Sequence, residues 1–185
     1  MNACAIICAR SIFMRWAKAS AYDLVPLMDS SLIATAAAAL PVLLVWAAAV
    51  DILTRAIPNS VVLLLTGAFG LFAGTAGMSV AHITVHVVCA CAVLAFGFLL
   101  FSLSLMGGGD AKLLAAASLW FGFETLLPFL AATALAGGVL SLACLAFSAA
   151  RVGLGQETVI ARDVPYGAAI AAGGLAVVPD WLAAF

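Results

Sequence analysis

The chain has 185 residues, of which 67% are hydrophobic; seven are Lys or Arg and eight are Asp or Glu. A soluble domain is about half apolar and about a quarter charged, so this composition excludes an ordinary soluble protein. The formal net charge of −1 offers no basic face for phosphates, which excludes a nucleic-acid partner. Because a membrane-spanning helix needs roughly 20 apolar residues, we predict one all-α, polytopic membrane domain with about six transmembrane helices.

Six uncharged apolar stretches predict these helices in chain order, and none of them shows the alternation of a β-barrel strand. They cover residues 32–50, 60–80, 83–106, 113–123, 125–150 and 164–179, the last of which can be extended to 185. With six spans, the loops after the first, third and fifth lie on one side of the lipid bilayer. Every Lys and Arg after residue 31 falls in these loops, so the positive-inside tendency predicts that this side is cytoplasmic.

Residues 1–31 do not fit this topology, because Arg10, Arg15 and Lys18 would lie on the opposite side. The segment also lacks the basic start and short apolar run of a signal peptide. We hypothesise that translation starts at Met28, which leaves residues 32–185 as the membrane domain. A peptide containing Arg15 recovered from native membranes would contradict this hypothesis.

No metal or cofactor site is predicted. The five cysteines form no CxxC pair and are expected to be small, buried apolar residues. His82 and His86 have the i,i+4 spacing of a zinc site, but they are predicted to lie at the opposite membrane face from the acids described next, without a nearby third ligand. Structural or solvated histidines are the favoured interpretation.

Two acids stand at the ends of predicted spans, and the topology places both at the cytoplasmic face. Asp51 ends the first span, and Asp110 opens the fourth directly after three glycines. Two neighbouring carboxylates can share one proton, so that one activates water and the other protonates a carbonyl oxygen, as in aspartic proteases. Because a helix C-terminus disfavours an anion and an N-terminus favours one, we expect Asp51 to hold the proton and Asp110 to be the base.

Each acid also has a purely structural interpretation. Asp110 could cap the fourth helix, with the glycines forming the turn before it. Asp51 could pair with Arg55 at i,i+4. The glycines do not continue into a phosphate-binding motif, and we expect them to let an extended substrate backbone approach Asp110.

Three patches of sequence resemble the type IV prepilin leader peptidases, which are GxGD-type intramembrane aspartic proteases. They are Asp51 followed by Ile57-Pro58-Asn59, then Gly107-x-Gly109-Asp110-x-Lys112, and finally Pro165-Tyr166-Gly167 at the start of the last span. The resemblance covers residues 32–178 and is greatest to the short form associated with tight-adherence (Flp) pili. It implies that Asp51 and Asp110 are the catalytic pair.

The resemblance also implies the substrate and the location. The substrate is a prepilin or pseudopilin precursor, cut at the cytoplasmic face of the bacterial inner membrane between its basic leader and its apolar helix. Longer members of the family methylate the new N-terminus through an insert with paired CxxC motifs. This chain lacks that insert, so we expect peptidase activity without methyltransferase activity and without a cofactor.

The other motif residues are expected to bind substrate or shape the site: Gly107, Gly109, Lys112, Pro58, Asn59, Pro165, Tyr166 and Gly167. Lys112 could bind lipid phosphate or hold the active-site loop. Asn59 is a candidate cap for the second helix, and Tyr166 could contact substrate or anchor at the membrane interface. Two rival functions are a proton-coupled small transporter and a non-catalytic subunit of a pilus or secretion assembly.

Overall fold

The computed structural model describes residues 30–153 and 165–183, which form helices joined by short turns. It contains five helices: α1 (Ser30–Thr54), α2 (Asn59–Thr75), α3 (Val80–Ser102), α4 (Gly108–Gly153) and α5 (Tyr166–Ala183). The predicted all-α class is therefore confirmed. The hypothesis on Met28 and residues 1–31 concerns sequence that lies outside the described helices.

The count of about six spans is not confirmed. Within the described ranges, three helices are long and apolar enough to cross a membrane, namely α1, α3 and α4, whereas the apolar parts of α2 and α5 have 10–17 residues. The predicted fourth and fifth spans both lie within α4. Glu124, which separated them in the sequence, is exposed inside this helix, because a charged side chain does not prevent helical backbone geometry.

The interruption of α4 lies at Gly122, where φ is 56° and ψ is −163°. Glycine adopts this conformation readily because it has no Cβ. Phe121 and Phe129 stack across the break with ring centroids 4.5 Å apart. The helix therefore consists of two segments that pack against each other, and the first of them is about 20 Å long.

The first segment of α4 is the centre of the molecule. From Ala111 to Phe121 only Lys112 is exposed. The Trp120 indole donates a hydrogen bond to the Leu65 carbonyl of α2 (3.0 Å), and its ring packs against both Phe72 and Trp181. Helices α2 and α5 are thereby held to the same face of α4.

Glycines allow the remaining helices to approach closely, as is common between membrane helices. A Cβ on Gly97 of α3 would lie 2.9 Å from the Ala111 Cβ, and one on Gly173 of α5 would lie 2.5 Å from the Thr133 backbone nitrogen. The first contact places α3 against the first segment of α4, and the second places α5 against the second segment.

The cysteines are only partly as expected. Cys89 is buried and Cys144 is half-buried, but Cys91 is exposed. The prediction that all are buried is wrong for Cys91, because that residue lies on the outer surface of α3, where a small apolar side chain needs no cover from the protein.

Candidate active site

Asp51 lies in the last turn of α1 and is almost fully buried, with 5% of its surface exposed. Its Oδ2 atom has no hydrogen-bond partner. The helix ends three residues later because Arg55 adopts a positive φ of 54°, and Arg55 is exposed. The helical i,i+4 pair that would make Asp51 a surface ion-pair partner is therefore not formed.

Asp110 lies in the first turn of α4 and is half-buried. The Gly107 carbonyl accepts the first hydrogen bond of the helix, from the Ala111 amide (3.1 Å). The Asp110 carboxyl in turn accepts from the Gly107 amide, which is the N3 half of a capping box; Gly107 has no side chain to supply the other half. The structural interpretation of Asp110 as a capping residue is thus realised.

Capping does not exclude a second function, because the Asp110 carboxylate also interacts with Asp51 as a like charge. The two acids lie 59 positions apart in the sequence, and only the packing of α1 beside the start of α4 brings them together. Two carboxylates in this relation favour a state in which one proton is shared between them.

The glycines of the GxGD motif are in contact with the protein itself. A Cβ on Gly107 would lie 2.7 Å from the Asp110 Oδ2 atom, and one on Gly109 would lie 3.3 Å from the Ile57 Cβ. Gly108 similarly faces the Phe101 ring at 3.4 Å. Internal packing therefore gives each of these three glycines a structural role, and the approach of a substrate backbone along them stays a prediction.

Lys112 and Asn59 meet across two helices. The Lys112 Nζ atom donates to the Asn59 Oδ1 atom at 3.2 Å, which joins the first turns of α4 and α2 next to the motif acids. The expectation that Asn59 caps α2 is wrong, because the N-cap residue is Pro58 and no side chain caps this end. Of the two interpretations of Lys112, this contact supports the one in which it helps to hold the active-site loop.

The motif Pro165-Tyr166-Gly167 forms the N-terminal turn of α5, where the Pro165 carbonyl accepts from the Ala168 amide (3.1 Å). The Tyr166 ring packs 3.7 Å from the position of a Cβ on Gly137 of α4. The third motif residue, Gly167, faces Asp51 directly, with 2.8 Å between its Cβ position and the Asp51 Oδ2 atom. All three motifs therefore meet at one end of the helices.

The α5 contact changes the electrostatics expected for Asp51. The C-terminal end of α1 disfavours an anion there, but the N-terminal end of α5 favours one. The expectation that Asp51 holds a proton rests on the first of these helix ends alone; because the two ends act in opposite directions, that expectation stays a prediction.

His86 lies at the other end of the molecule, beside the break in α4. Its Nδ1 atom is 2.7 Å from the Leu119 carbonyl oxygen, and its ring stacks on Phe69 with 5.4 Å between centroids. Among the described residues, no group of three or more His, Cys, Asp or Glu side chains could hold a metal ion. The contacts of His86 are those of a structural histidine that binds the end of a helical segment.

The sequence model of the type IV leader peptidase family matches residues 38–142, which is more than half of the chain. The chain belongs to this family. No curated protein matches the sequence, and no solved structure matches it. The matched range includes both acids and the GxGD motif of this leader peptidase, whereas the Pro165-Tyr166-Gly167 turn lies beyond it. Membership indicates a membrane protease that acts on prepilin-type substrates in general.

Sequence reasoning overlooked two features of this leader peptidase: the contact of Gly167 with Asp51, and the role of Ile57 as the residue packed on Gly109. The sequence identifies Gly167 and Ile57 only as members of the motifs. Glycine lowers helix stability. Its presence in the first turn of α5 was therefore the sequence signal for a close contact at position 167.

Proposed function

We propose that this leader peptidase is an aspartic endopeptidase in which Asp51 and Asp110 are the catalytic pair. The observation that carries the proposal is the burial of Asp51 with an unpartnered oxygen at the end of α1, in a position where its charge acts on the Asp110 carboxyl at the start of α4. A buried carboxyl oxygen without a partner is costly for stability, and such costs are concentrated at functional sites.

The chemistry follows from one shared proton. The ionised carboxylate accepts a proton from a water molecule, whose oxygen attacks the carbonyl carbon of the scissile peptide bond. The protonated carboxyl gives its proton to the carbonyl oxygen, which produces a neutral tetrahedral diol. On collapse of the diol, the carboxyl that took the proton from water gives it to the leaving amine, and the other carboxylate takes a proton from a diol hydroxyl as the C–N bond breaks, so that the dyad again carries one proton.

The substrate is proposed to be a type IV prepilin or pseudopilin, and specifically one of the tight-adherence (Flp) type. Cleavage takes place between the basic leader and the apolar helix at the cytoplasmic face of the bacterial inner membrane. The Lys and Arg distribution that predicts the cytoplasmic side supports this orientation, since Asp51, Asp110 and the Lys112–Asn59 contact lie at the same end of the helices.

The decisive experiment is co-expression of the full chain with an Flp-type prepilin precursor, with leader removal scored by gel shift and intact mass. Wild type is compared with Asp51→Asn and Asp110→Asn, which keep side-chain size and remove the acid. Asp180→Asn is the matched control, because Asp180 is exposed near the far end of α5. We expect cleavage by wild type and the control, and none by either dyad variant at equal membrane abundance.

Other outcomes distinguish the rival functions. Full cleavage by both dyad variants would refute the aspartic mechanism. Pilus assembly that persists with both acids replaced would favour a non-catalytic assembly subunit, and proton-coupled uptake that depends on the acids without any cleavage would favour a transporter. The mass of the mature pilin also tests the absence of methyltransferase activity, because N-methylation by this chain would add one methyl group.

A further inference from the structure

The N-terminal turn of α5 lies directly on the side chain of Asp51. A Cβ on Gly167 would be 2.8 Å from the Asp51 Oδ2 atom, 2.9 Å from its Cγ and 3.0 Å from its Cβ. The Asp51 side chain therefore occupies the space into which the Cβ atom of any other residue at position 167 would project. Gly167 is itself buried, so no neighbouring free volume is available to accept that carbon.

This turn also presents a helix N-terminus to the carboxyl group. The helix comprises 18 residues, and its first amides have no partner within the helix and carry partial positive charge. The Asp51 Oδ2 atom has no hydrogen-bond partner, while 95% of the Asp51 surface is covered by the protein. An unpartnered, buried acid thus faces the positive end of α5 at contact distance.

Other charged groups do not account for the placement of Asp51. On the described helices packed against α1, the titratable groups at this end are Asp110, Lys112 and Tyr166. Asp110 repels Asp51, Lys112 is bonded to Asn59, and Tyr166 packs on Gly137. Arg55 at the end of α1 is exposed. The steric limit on Asp51 therefore comes from the α5 turn, whose helix N-terminus is also the end that favours an anion.

We propose that the Pro165-Tyr166-Gly167 turn is the positioning element of the catalytic dyad, with Gly167 as the positioning residue that sets the Asp51 carboxyl opposite Asp110. This inference rests on the proposed aspartic mechanism and extends it beyond residues 38–142, the part matched by the family. Pro165 begins the turn with a fixed φ, and the Tyr166 ring makes only ordinary van der Waals contact with α4. Glycine at 167 then brings the backbone against the acid.

The first test is the kinetics of Gly167→Ala with a purified Flp-type prepilin precursor in detergent. The added carbon must displace the Asp51 carboxyl or the α5 turn, and a displacement of about 1 Å in a catalytic group costs about 100-fold in rate. We expect kcat to fall by about that factor while KM stays within about two-fold, because the substituted carbon faces the acid.

Gly137→Ala is the matched control. Gly137 is also a buried helical glycine that faces the α5 turn, but its nearest neighbours are in ordinary contact at 3.7 Å and none of them belongs to Asp51. We expect its kcat to stay within about two-fold of wild type. A loss of kcat equal to that of Gly167→Ala would show that general α4–α5 packing, rather than the position of Asp51, is responsible, and would overturn the proposal.

A second test does not depend on proteolysis. Asp51→Cys and Gly167→Cys are combined in a full-length chain whose native cysteines are replaced by alanine. The Cβ separation of 3.0 Å is slightly below the roughly 3.5–4.5 Å of a disulfide, so a small separation of the helices allows the bond. Asp51→Cys with Gly138→Cys is the control, because Gly138 has no neighbour within 4 Å.

We expect rapid oxidation to a disulfide for the first pair and none for the control pair. Absence of the disulfide in the first pair would overturn the placement of the turn on Asp51, even if Gly167→Ala is too unstable to assay. If the disulfide forms but wild type cuts no precursor, the proposed protease function fails and the positioning proposal fails with it, since no dyad is then being positioned. The contact itself would remain established as a structural one.

Discussion

Replacement of Gly122 by alanine tests whether the break in α4 is required by the fold. The backbone there has φ 56° and ψ −163°, a region that is essentially restricted to glycine. The space beside it is also filled, since a Cβ at 122 would lie 2.7 Å from the His86 Cε1 and Nε2 atoms. Alanine therefore meets both a conformational and a steric obstacle.

The magnitude follows from these two effects. A non-glycine residue in such a backbone conformation costs roughly 1–3 kcal/mol, and overpacking of a well-filled site costs another 1–3 kcal/mol. We therefore expect Gly122→Ala to lower the free energy of unfolding by about 2–6 kcal/mol. By contrast, Gly138→Ala should be neutral or stabilising by up to about 1 kcal/mol, because Gly138 is helical and has no neighbour within 4 Å.

The assay is unfolding of the purified protein in mixed micelles with increasing SDS, followed by tryptophan fluorescence. Trp120 is a suitable reporter because it is buried and its ring centroid lies 5.5 Å from that of Phe72. Equal unfolding midpoints for Gly122→Ala and Gly138→Ala would refute the reasoning, because they would show that α4 accepts a continuous helical backbone at residue 122.

The break also matters for the active site. A continuous helix of 46 residues would be about 69 Å long, more than twice the roughly 30 Å hydrocarbon core of a bilayer. With the break, α4 starts at the dyad with Asp110, reverses at Gly122 and returns to the α5 turn, where Gly137 meets Tyr166. Leader cleavage by Gly122→Ala should therefore decline together with its stability.

Three further outcomes are expected. His86→Phe, which keeps the stacked ring and removes the hydrogen bond to the Leu119 carbonyl, should destabilise the protein by about 1–3 kcal/mol in the same SDS assay; an unchanged midpoint would refute a structural role for the bond. Lys112→Met and Asn59→Ala should each reduce kcat/KM by less than about ten-fold. The double variant should reduce it no further, because the two residues share one exposed contact; additive losses would show that they have independent roles. Finally, kcat/KM of wild type should pass through a maximum with pH, because the dyad must carry one proton and loses activity when it carries two or none; a rate that rises to a plateau would contradict the shared proton.

Some parts of the site could be predicted from the sequence because they are local. Hydropathy indicated helices throughout, and the spacing of basic residues placed Asp51 and Asp110 at one end and the histidines at the other. The three motifs indicated the family, which the match over residues 38–142 confirms. The predicted boundary between the fourth and fifth spans, at Glu124, lies two residues from the break at Gly122; the sequence indicates where the chain turns, but the residue that interrupts the helix is set by backbone conformation and not by charge.

Contacts between helices were decided by the tertiary structure alone. Composition and periodicity describe one segment at a time, so they show that Asp51 ends a helix and that Gly167 begins one. They contain no information on the distance between those ends. That distance depends on how closely the glycines of several helices let the backbones approach. The resulting packing places the α5 turn on Asp51. It also joins Lys112 to Asn59 by a hydrogen bond. The sequence by itself determined which residues could do the chemistry, and the packing of the helices determined which of them meet.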